Sequence, residues 1–189
     1  MLTQQTPPSK TNRGPAAGPG NRRALIAAAR AVYAESGLGA PFSAIAKRAG
    51  VGQGSLYRHF PDRTALAVAV FEDNVIDLEE FTAPEGRTVD DLLARVVDQA
   101  VASTALIELV TADLQDPRVL PLGERFNGLV SRLVVRERAA GRIGSHVEPE
   151  DVAMATGMLA TELARTPPAL RAEAAARARA LFHNAFAPR

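Results

Sequence analysis

A short stretch between residues 53 and 59 holds the side chains whose types and spacing best suit contact with a large polar partner. Its polar residues are expected to face outward: Gln53, Ser55, Tyr57, Arg58 and His59. The small residues Gly52 and Gly54 at its start would let the backbone approach that partner closely. Amide, hydroxyl and guanidinium groups on a short helix can bind the base edges and phosphates of nucleic acid.

Two short predicted helices and a glycine turn must position these side chains. Apolar residues recur at helical spacing from residue 42 to residue 49, and the glycine-rich residues 50 to 52 then interrupt the pattern. Leu56 and Phe60 lie four apart and face the core, and Pro61 ends the second helix because it disfavours helical geometry in the residue before it. This arrangement is typical of a helix-turn-helix, whose second helix enters the major groove of DNA.

The distribution of charge supports a polyanionic partner. Residues 1–60 hold eight basic side chains and one acidic, a net +7, whereas residues 61–189 hold 14 basic and 20 acidic, a net −6. A solvated surface that happens to be basic is the plain alternative. The coincidence of positive charge with a helix-turn-helix favours nucleic acid.

The composition predicts an all-α fold. Hydrophobic residues make up 47% of the chain and charged residues 23%, as in globular proteins. The absence of cysteine excludes disulfides and thiolate metal sites. No apolar run approaches the roughly 20 residues that span a bilayer. We therefore expect a cytoplasmic protein with no metal, no cofactor and no membrane partner.

About nine helices are expected, in three regions. Residues 1–20, rich in proline and glycine, should form a disordered tail, and residues 21–62 a helix-turn-helix domain that starts with Asn21 as helix cap. Residues 63–189 should form a ligand-binding and dimerisation domain whose first helix, capped by Asp62, is the linker. A bend near residues 103–104 is expected to separate a fifth helix from a sixth.

Three arginines in the first turns of helices point to phosphate. Arg22 and Arg23 start the first helix and oppose its dipole, which is more easily explained if an anion binds nearby. Arg63 starts the fourth helix, where its side chain and unpaired backbone N–H groups can together hold a phosphate.

The last two helices carry small and apolar residues on one face, which suits pairing with a second copy of the chain as a four-helix bundle. The alternative is that they complete the core of a single chain. The residues expected at the dimer interface are Ala153, Gly157, Ala160, Ala164, Leu170, Ala174, Ala178, Leu181, Phe182 and Ala185.

The segment from residue 25 to residue 66 resembles the N-terminal domain of TetR-family transcriptional regulators. The matching features are the alanine-rich first helix that ends in Tyr-Ala-Glu-Ser-Gly, Ile-Ala before Ala-Gly-Val, and Leu-Tyr-Arg-His-Phe-Pro with a basic residue two positions on. The rest of the chain matches in layout alone.

That resemblance implies a homodimer that binds a palindromic operator in double-stranded DNA, usually represses, and is released by a small-molecule effector. It assigns DNA-facing positions to Ser43, Lys47, Gln53, Ser55, Tyr57, Arg58 and His59, backbone approach to Gly54, and a phosphate contact to Arg63. The chain departs from the family at Pro41 and Gly52, where hydroxyl residues are usual. Both residues are compatible with helix starts.

An effector pocket is expected among the apolar residues of the C-terminal domain, although the same residues could fill a dry core. The candidates are Phe71, Asn74, Val75, Leu78, Val96, Gln99, Leu109, Val110, Phe126, Leu129, Leu133, Met154 and Met158. Two other functions stay open. A helical small-molecule adaptor that does not bind DNA is one, and an enzyme is the other, although no nucleophile–base set or acidic pair is recognisable.

Overall fold

A computed structural model describes residues 18–111 and 116–189, without the side chains of residues 38 and 101–111. In these residues the chain forms eight α-helices and no β-strand, which confirms the all-α class. The helices are α1 Gly18–Ser36, α2 Phe42–Arg48, α3 Gln53–His59, α4 Arg63–Thr82, α5 Val89–Thr111, α6 Leu120–Ala139, α7 Pro149–Arg165 and α8 Arg171–Phe186. Single 3-10 turns precede α2, at Gly37–Gly39, and α8, at Pro168–Leu170.

The first helix begins earlier than the sequence indicated. Helix α1 starts at Gly18, so Asn21 lies inside its first turns instead of capping it. Pro19 does not prevent this start, because the first helical turn leaves backbone N–H groups unpaired in any case. The expected disorder of the tail concerns mostly residues 1–17, which lie outside the described residues.

The expected fifth and sixth helices are one continuous helix, α5, so the bend at residues 103–104 was wrong. No proline or glycine interrupts this segment. The start of α5 also carries a signal that the periodicity missed. The Asp91 carboxylate accepts the Thr88 N–H at 3.0 Å, and the Asp91 N–H donates to the Thr88 hydroxyl at 3.1 Å. This reciprocal capping box moves the helix start to Val89.

Other helix ends follow the sequence closely. Gly37, at φ +62°, follows the last residue of α1, and Gly141, at φ +67°, follows the end of α6. Asp62 caps α4 and accepts the Ala65 N–H at 2.7 Å. At the start of α7, Asp151 accepts the Glu148 N–H at 2.9 Å, as the acidic sequence there indicated.

Residues 18–70, called the head below, share one hydrophobic core. It combines the apolar face of α1 with the inward residues of α2 and α3 and the first two turns of α4. Its largest fully buried side chains include Leu25, Tyr33, Ile45, Leu56 and Leu66. The first part of the expected linker helix therefore belongs to the core of the helix-turn-helix.

Residues 71–189, called the body below, are built around a second core. It is formed by the rest of α4 with α5, α6, α7 and α8, and Phe71 packs against both cores. Helices α5 and α7 make the most extensive contact of the body. None of the helices within residues 18–111 and 116–189 combines the length and apolarity needed to cross a membrane.

Head and body meet at more places than the shared helix α4. Helix α1 packs directly against α5. The corner between α5 and α6 also reaches the head, because Val119 is buried in the head core and Arg118 forms an ion pair of 3.0 Å with Asp62. The head is therefore held by the covalent link, by α5 and by this corner.

Candidate nucleic-acid interface

The turn between α2 and α3 sets the position of the second helix. Ile45 and Ala46 of α2 and Leu56 of α3 are buried in the head core, which holds the two helices against α1. Gly50 adopts φ +65°, a conformation that glycine reaches without steric cost. The Val51 N–H then donates to the Ala46 carbonyl at 3.0 Å, which closes the turn.

Helix α3 presents its polar residues outward, as predicted. Gln53, Gly54, Tyr57 and Arg58 are exposed, whereas Ser55 and His59 are half-buried. The His59 ring lies 6.2 Å from the Phe60 ring. The first turn of α3 therefore offers an amide, a hydroxyl and bare backbone, and the second offers a phenol and a guanidinium.

Tyr57 combines packing with exposure. Its ring meets the edge of the Phe42 ring at a centroid distance of 5.5 Å, while 48% of the residue stays accessible. The ring thus packs against the head core while part of the side chain stays accessible to solvent.

The glycines at the start of α3 leave open space above the backbone. A Cβ atom built at Gly52 or Gly54 would meet no protein atom within 4 Å, and neither residue has a positive φ. Folding of the chain therefore does not require glycine there. The bare surface is available to a partner that must come close.

Exposed residues of α2 and α1 extend the polar face around α3. Ser43 and Lys47, four residues apart on α2, are exposed, and Arg23 is exposed in the first turns of α1. The head contains seven basic residues and two acidic ones, Glu35 and Asp62. One of these seven, Arg48, pairs with Glu35 at 2.6 Å.

Arg22 differs from its expected role. Its guanidinium pairs with Glu72 of α4 at 3.3 Å and lies 5.7 Å from the centroid of the Phe60 ring. The unfavourable position of this cation at a helix start is therefore balanced within the protein, and Arg23 is the better phosphate candidate of the two.

Arg63 is engaged within the head. It is half-buried and donates to the Ala40 carbonyl at 2.8 Å, which ties the start of α4 to the segment before α2. Its charge lies near the Tyr33 hydroxyl, a buried group without a hydrogen-bond partner. Burial raises the pKa of Tyr33, against the opposing effect of the Arg63 charge. A phosphate at Arg63 would have to share the guanidinium with this carbonyl.

The predicted pocket residues fall into four groups. Val75, Leu78, Val96, Leu129 and Leu133 are buried in the body core, with Phe71 and Phe126 packed against it. Asn74 and Gln99 line a polar cleft of about 220 Å³ instead. The side chains of Leu109 and Val110 lie outside the described part. Met154 and Met158 do not line the interior: they are 60% and 59% exposed, because Val152, Ala155 and Leu159 form the inward face of α7.

A second cleft, of about 230 Å³, lies where α5 begins and α6 and α8 end. Glu137, which is 1% exposed, pairs there with Arg142, and His183 lies 2.6 Å from Asp90. None of the predicted pocket residues lines this cleft. In the described residues, no group of three or more His, Asp and Glu side chains could hold a metal ion.

The predicted dimer residues divide between two environments. Ala160, Ala164, Ala174, Ala178 and Phe182 pack against the body core. Leu170 and Leu181 are exposed, at 53% and 64%, as are Gly157 and Ala185, whereas Ala153 is half-buried. These exposed residues, with Met154 and Met158, are called the α7–α8 face below: they lie on α7, on α8 and, for Leu170, in the 3-10 turn between them.

Comparison with known proteins agrees with this architecture. Residues 25–70 match the family described as bacterial regulatory proteins, tetR family. A TetR transcriptional regulator of Streptomyces coelicolor superimposes with a TM-score of 0.66, is 28% identical, and the match covers 88% of this chain and 98% of that one. Residues 25–70 form a TetR-family domain. The chain as a whole has the fold of TetR-family transcriptional regulators, with the helix-turn-helix in its head.

Two further solved structures are similar over most of their length. A TetR regulatory protein from Mycobacterium vanbaalenii is 26% identical, with a TM-score of 0.66 over 91% of this chain and 98% of that one. A structure described as the molecular basis for control of antibiotic production by bacterial hormones is 25% identical, with a TM-score of 0.65 over 88% and 97%. No curated protein matches this sequence.

Several contacting residues were not found from the sequence. Arg30 of α1 bonds to α4, and Arg118 bonds to Asp62, yet both are single charges in otherwise ordinary helical or loop patterns. Their partners lie 44 and 56 residues away in the chain. No periodicity within one helix reports such a pair.

Proposed function

We propose that this TetR-family chain is a homodimeric repressor that binds a palindromic operator through α3 and leaves it when a small molecule binds the body. The observation that carries the proposal is the outward face of α3, where Gln53, Gly54 and Arg58 are exposed on a helix otherwise anchored in the head core. Residues at the start of such a helix read base edges in the major groove.

The charge of the two parts supports the same binding mode. The basic head attracts the phosphate backbone, and the acidic body is repelled by it, so the head is oriented toward DNA. Lys47 of α2 and Arg23 of α1, both exposed, are the proposed phosphate contacts. Arg63 is proposed to contribute in addition to its bond to Ala40.

The α7–α8 face supports the dimer. Met154, Met158 and Leu181 are each about three-fifths exposed, and large apolar side chains of this kind are usually covered in an assembly. Gly157 lies beside the two methionines and allows a second helix to approach. Two copies of α7 and α8 would form a four-helix bundle around a two-fold axis, which matches the symmetry of a palindrome.

Effector release rests on the contacts between body and head. A molecule that binds one conformation of the body better than another shifts the population toward it, and it releases DNA if that conformation misplaces the heads. Helices α4 and α5 and the α5–α6 corner all touch the head and can transmit such a change. The similar structure connected with bacterial hormones supports a small organic effector.

A gel shift on the promoter region beside the gene, over a series of salt concentrations, tests DNA binding. The logarithm of affinity should fall linearly with the logarithm of salt, because phosphate contacts release counterions. Lys47→Met should reduce that slope by about 1. The matched control, Arg132→Met, removes an exposed arginine from the body and should leave the slope unchanged.

If the folded wild-type chain does not bind DNA, or if its binding does not depend on salt, the repressor proposal is overturned and a small-molecule adaptor is favoured. An equal slope for Lys47→Met and the wild type would remove Lys47 from the DNA surface while leaving the repressor itself in place.

A further inference from the structure

Arg30 joins α1 to α4 through two acceptors, one at the end of the head and one at the start of the body. This residue lies in the middle of α1, and its guanidinium donates to the Asn74 side-chain oxygen at 2.7 Å and to the Val70 carbonyl at 3.2 Å. Both acceptors belong to one turn of α4. The Val70 carbonyl is part of the backbone of α4 and cannot move independently of that helix. Its bond to Arg30 therefore fixes the axial position and rotation of α1 relative to α4.

Gln99 reaches the same turn of α4 from α5. Its amide donates to the Asn74 carbonyl at 3.1 Å and to the Asp77 carboxylate at 2.8 Å. Asp77 in turn accepts Arg95 of α5 at 2.8 Å. Asn74 is therefore bonded on its side chain by the head and on its backbone by α5.

Burial makes these contacts costly to break. Asn74 is 7% exposed, so its oxygen would lose a partner without gaining full access to water. A buried polar group left unpaired is much less favourable than a broken surface ion pair. The contacts therefore restrict the angle between head and body more strongly than exposed pairs do.

We propose that Arg30, Asn74 and Gln99 form a positioning bridge that fixes the angle of the head on the body, and with it the spacing of the two α3 helices in the dimer. This inference rests on the proposed function for its effect on DNA. The effect on the head–body angle is independent of DNA.

The cleft around the bridge offers Arg30 a second arrangement. The Arg30 Nε–H is buried without a partner, although Asp73, Asp77 and Asp98 line the same cleft. A displacement of α1 along α4 can therefore exchange the Asn74 oxygen for a carboxylate. Such an exchange would define a second arrangement of head and body, which a two-state element requires.

A distance measurement between two spin labels tests the bridge. The chain contains no cysteine, so Ala34→Cys in the head and Ala139→Cys in the body, both exposed positions, give two defined labels. Labelled chain diluted with unlabelled chain reports the distance within one copy. Arg30→Met and Asn74→Leu should each broaden or shift the distance distribution, and Arg30→Lys, which retains one charged donor, should restore it in part.

Arg125→Met is the matched control. Like Arg30, Arg125 binds α4, where its guanidinium lies 2.5 Å from Glu79. Unlike Arg30, it belongs to α6 of the body. This variant should leave the distribution unchanged. On an operator, Arg30→Met and Asn74→Leu should weaken affinity about two- to thirtyfold, and Arg125→Met should not.

An unchanged distribution in folded Arg30→Met would overturn the bridge, as would an equal change in Arg125→Met. Failure of the wild-type chain to bind any DNA would overturn the proposed function instead. The label distances still decide the bridge in that case, because they require neither an operator nor a dimer.

Discussion

Arg118 of the body holds Asp62 of the head in an ion pair of 3.0 Å. Asp62 is also the residue that caps α4, directly after the helix proposed to read DNA. The neighbouring Val119 is buried in the head core, so the same corner provides both an apolar contact and a charged one. A body residue thus contacts the segment between α3, the proposed recognition helix, and α4.

Substitutions at Asp62 should distinguish the contribution of the helix cap to stability from that of the ion pair. Asp62→Ala removes both and should lower the free energy of unfolding by about 1 kcal/mol or more. Asp62→Asn keeps a good cap but loses the charge, so its cost should be clearly smaller. Arg118→Met keeps the cap and removes the ion pair with Asp62, together with the pair that Arg118 forms with Asp116. Urea denaturation measures all three, and an equal cost for Asn and Ala at position 62 would show that the cap contributes little.

The free energy of unfolding should depend on pH at low pH through the Asp116 carboxyl. Hydrogen bonds from the Arg118 side chain, and then from its backbone N–H, lower the pKa of Asp116 from 3.8 to about 2. The lowered pKa means that this stabilisation is complete above about pH 4 and is lost as the pH falls toward about 2.

Asp116→Asn should therefore be less stable than the wild type at pH 6, with a difference that shrinks at pH 3. Urea unfolding at a series of pH values measures the difference. A difference that stays constant between pH 6 and pH 3 would contradict the assigned pKa.

Gly54→Ala should change folding and DNA binding in opposite directions. Alanine is favoured over glycine in a helix by about 0.5–1 kcal/mol, and a Cβ at this position meets no protein atom. The variant should be as stable as the wild type or more so, but should bind the operator more weakly because the methyl group obstructs close approach.

Gly123→Ala is the control for this substitution. Gly123 lies in α6 of the body with equally open space around it, so its replacement should leave DNA binding unchanged. Thermal unfolding and a binding titration measure the two effects. Unchanged operator affinity for Gly54→Ala would exclude close approach at that residue.

A charge on the α7–α8 face should dissociate the proposed dimer. Leu181→Glu places a carboxylate where the second copy is expected, and a buried unpaired charge is strongly unfavourable. Val135, on α6, is 64% exposed, as is Leu181, but lies outside the face, so Val135→Glu is the matched control. Sedimentation should show a weakened dimer for Leu181→Glu alone. Identical sedimentation of both variants would show that the dimer does not form through this face.

Local signals in the sequence predicted the helix-turn-helix closely. The bounds of α3, the glycine turn and the Asp62 cap depend on residues within a few positions of one another, and the structure confirms them. The capping box at Thr88 and Asp91 was equally local, and its four-residue pattern would have placed the start of α5. The sequence does not predict the single helix α5, because the small polar residues at 103–104 resemble a break between two helices.

Contacts between distant parts of the chain could not be predicted in this way. Met154 and Met158 are apolar at helical spacing, yet only the orientation of α7 decides that they face outward. Arg22 and Arg63 looked like phosphate ligands because of their positions at helix starts, and the acceptors that engage them, Glu72 and Ala40, come from other elements. Packing between helices determines these partners.

Selection of bound sites from random double-stranded DNA is the most direct test of the central claim, that α3 of two paired chains reads a palindromic operator. The wild-type chain should enrich sequences with two inverted half-sites, separated so that two α3 helices enter successive major grooves. Gln53→Ala should change the preferred bases within each half-site without changing their spacing. Enrichment of no sequence, or of sequences without two-fold symmetry, would contradict the claim.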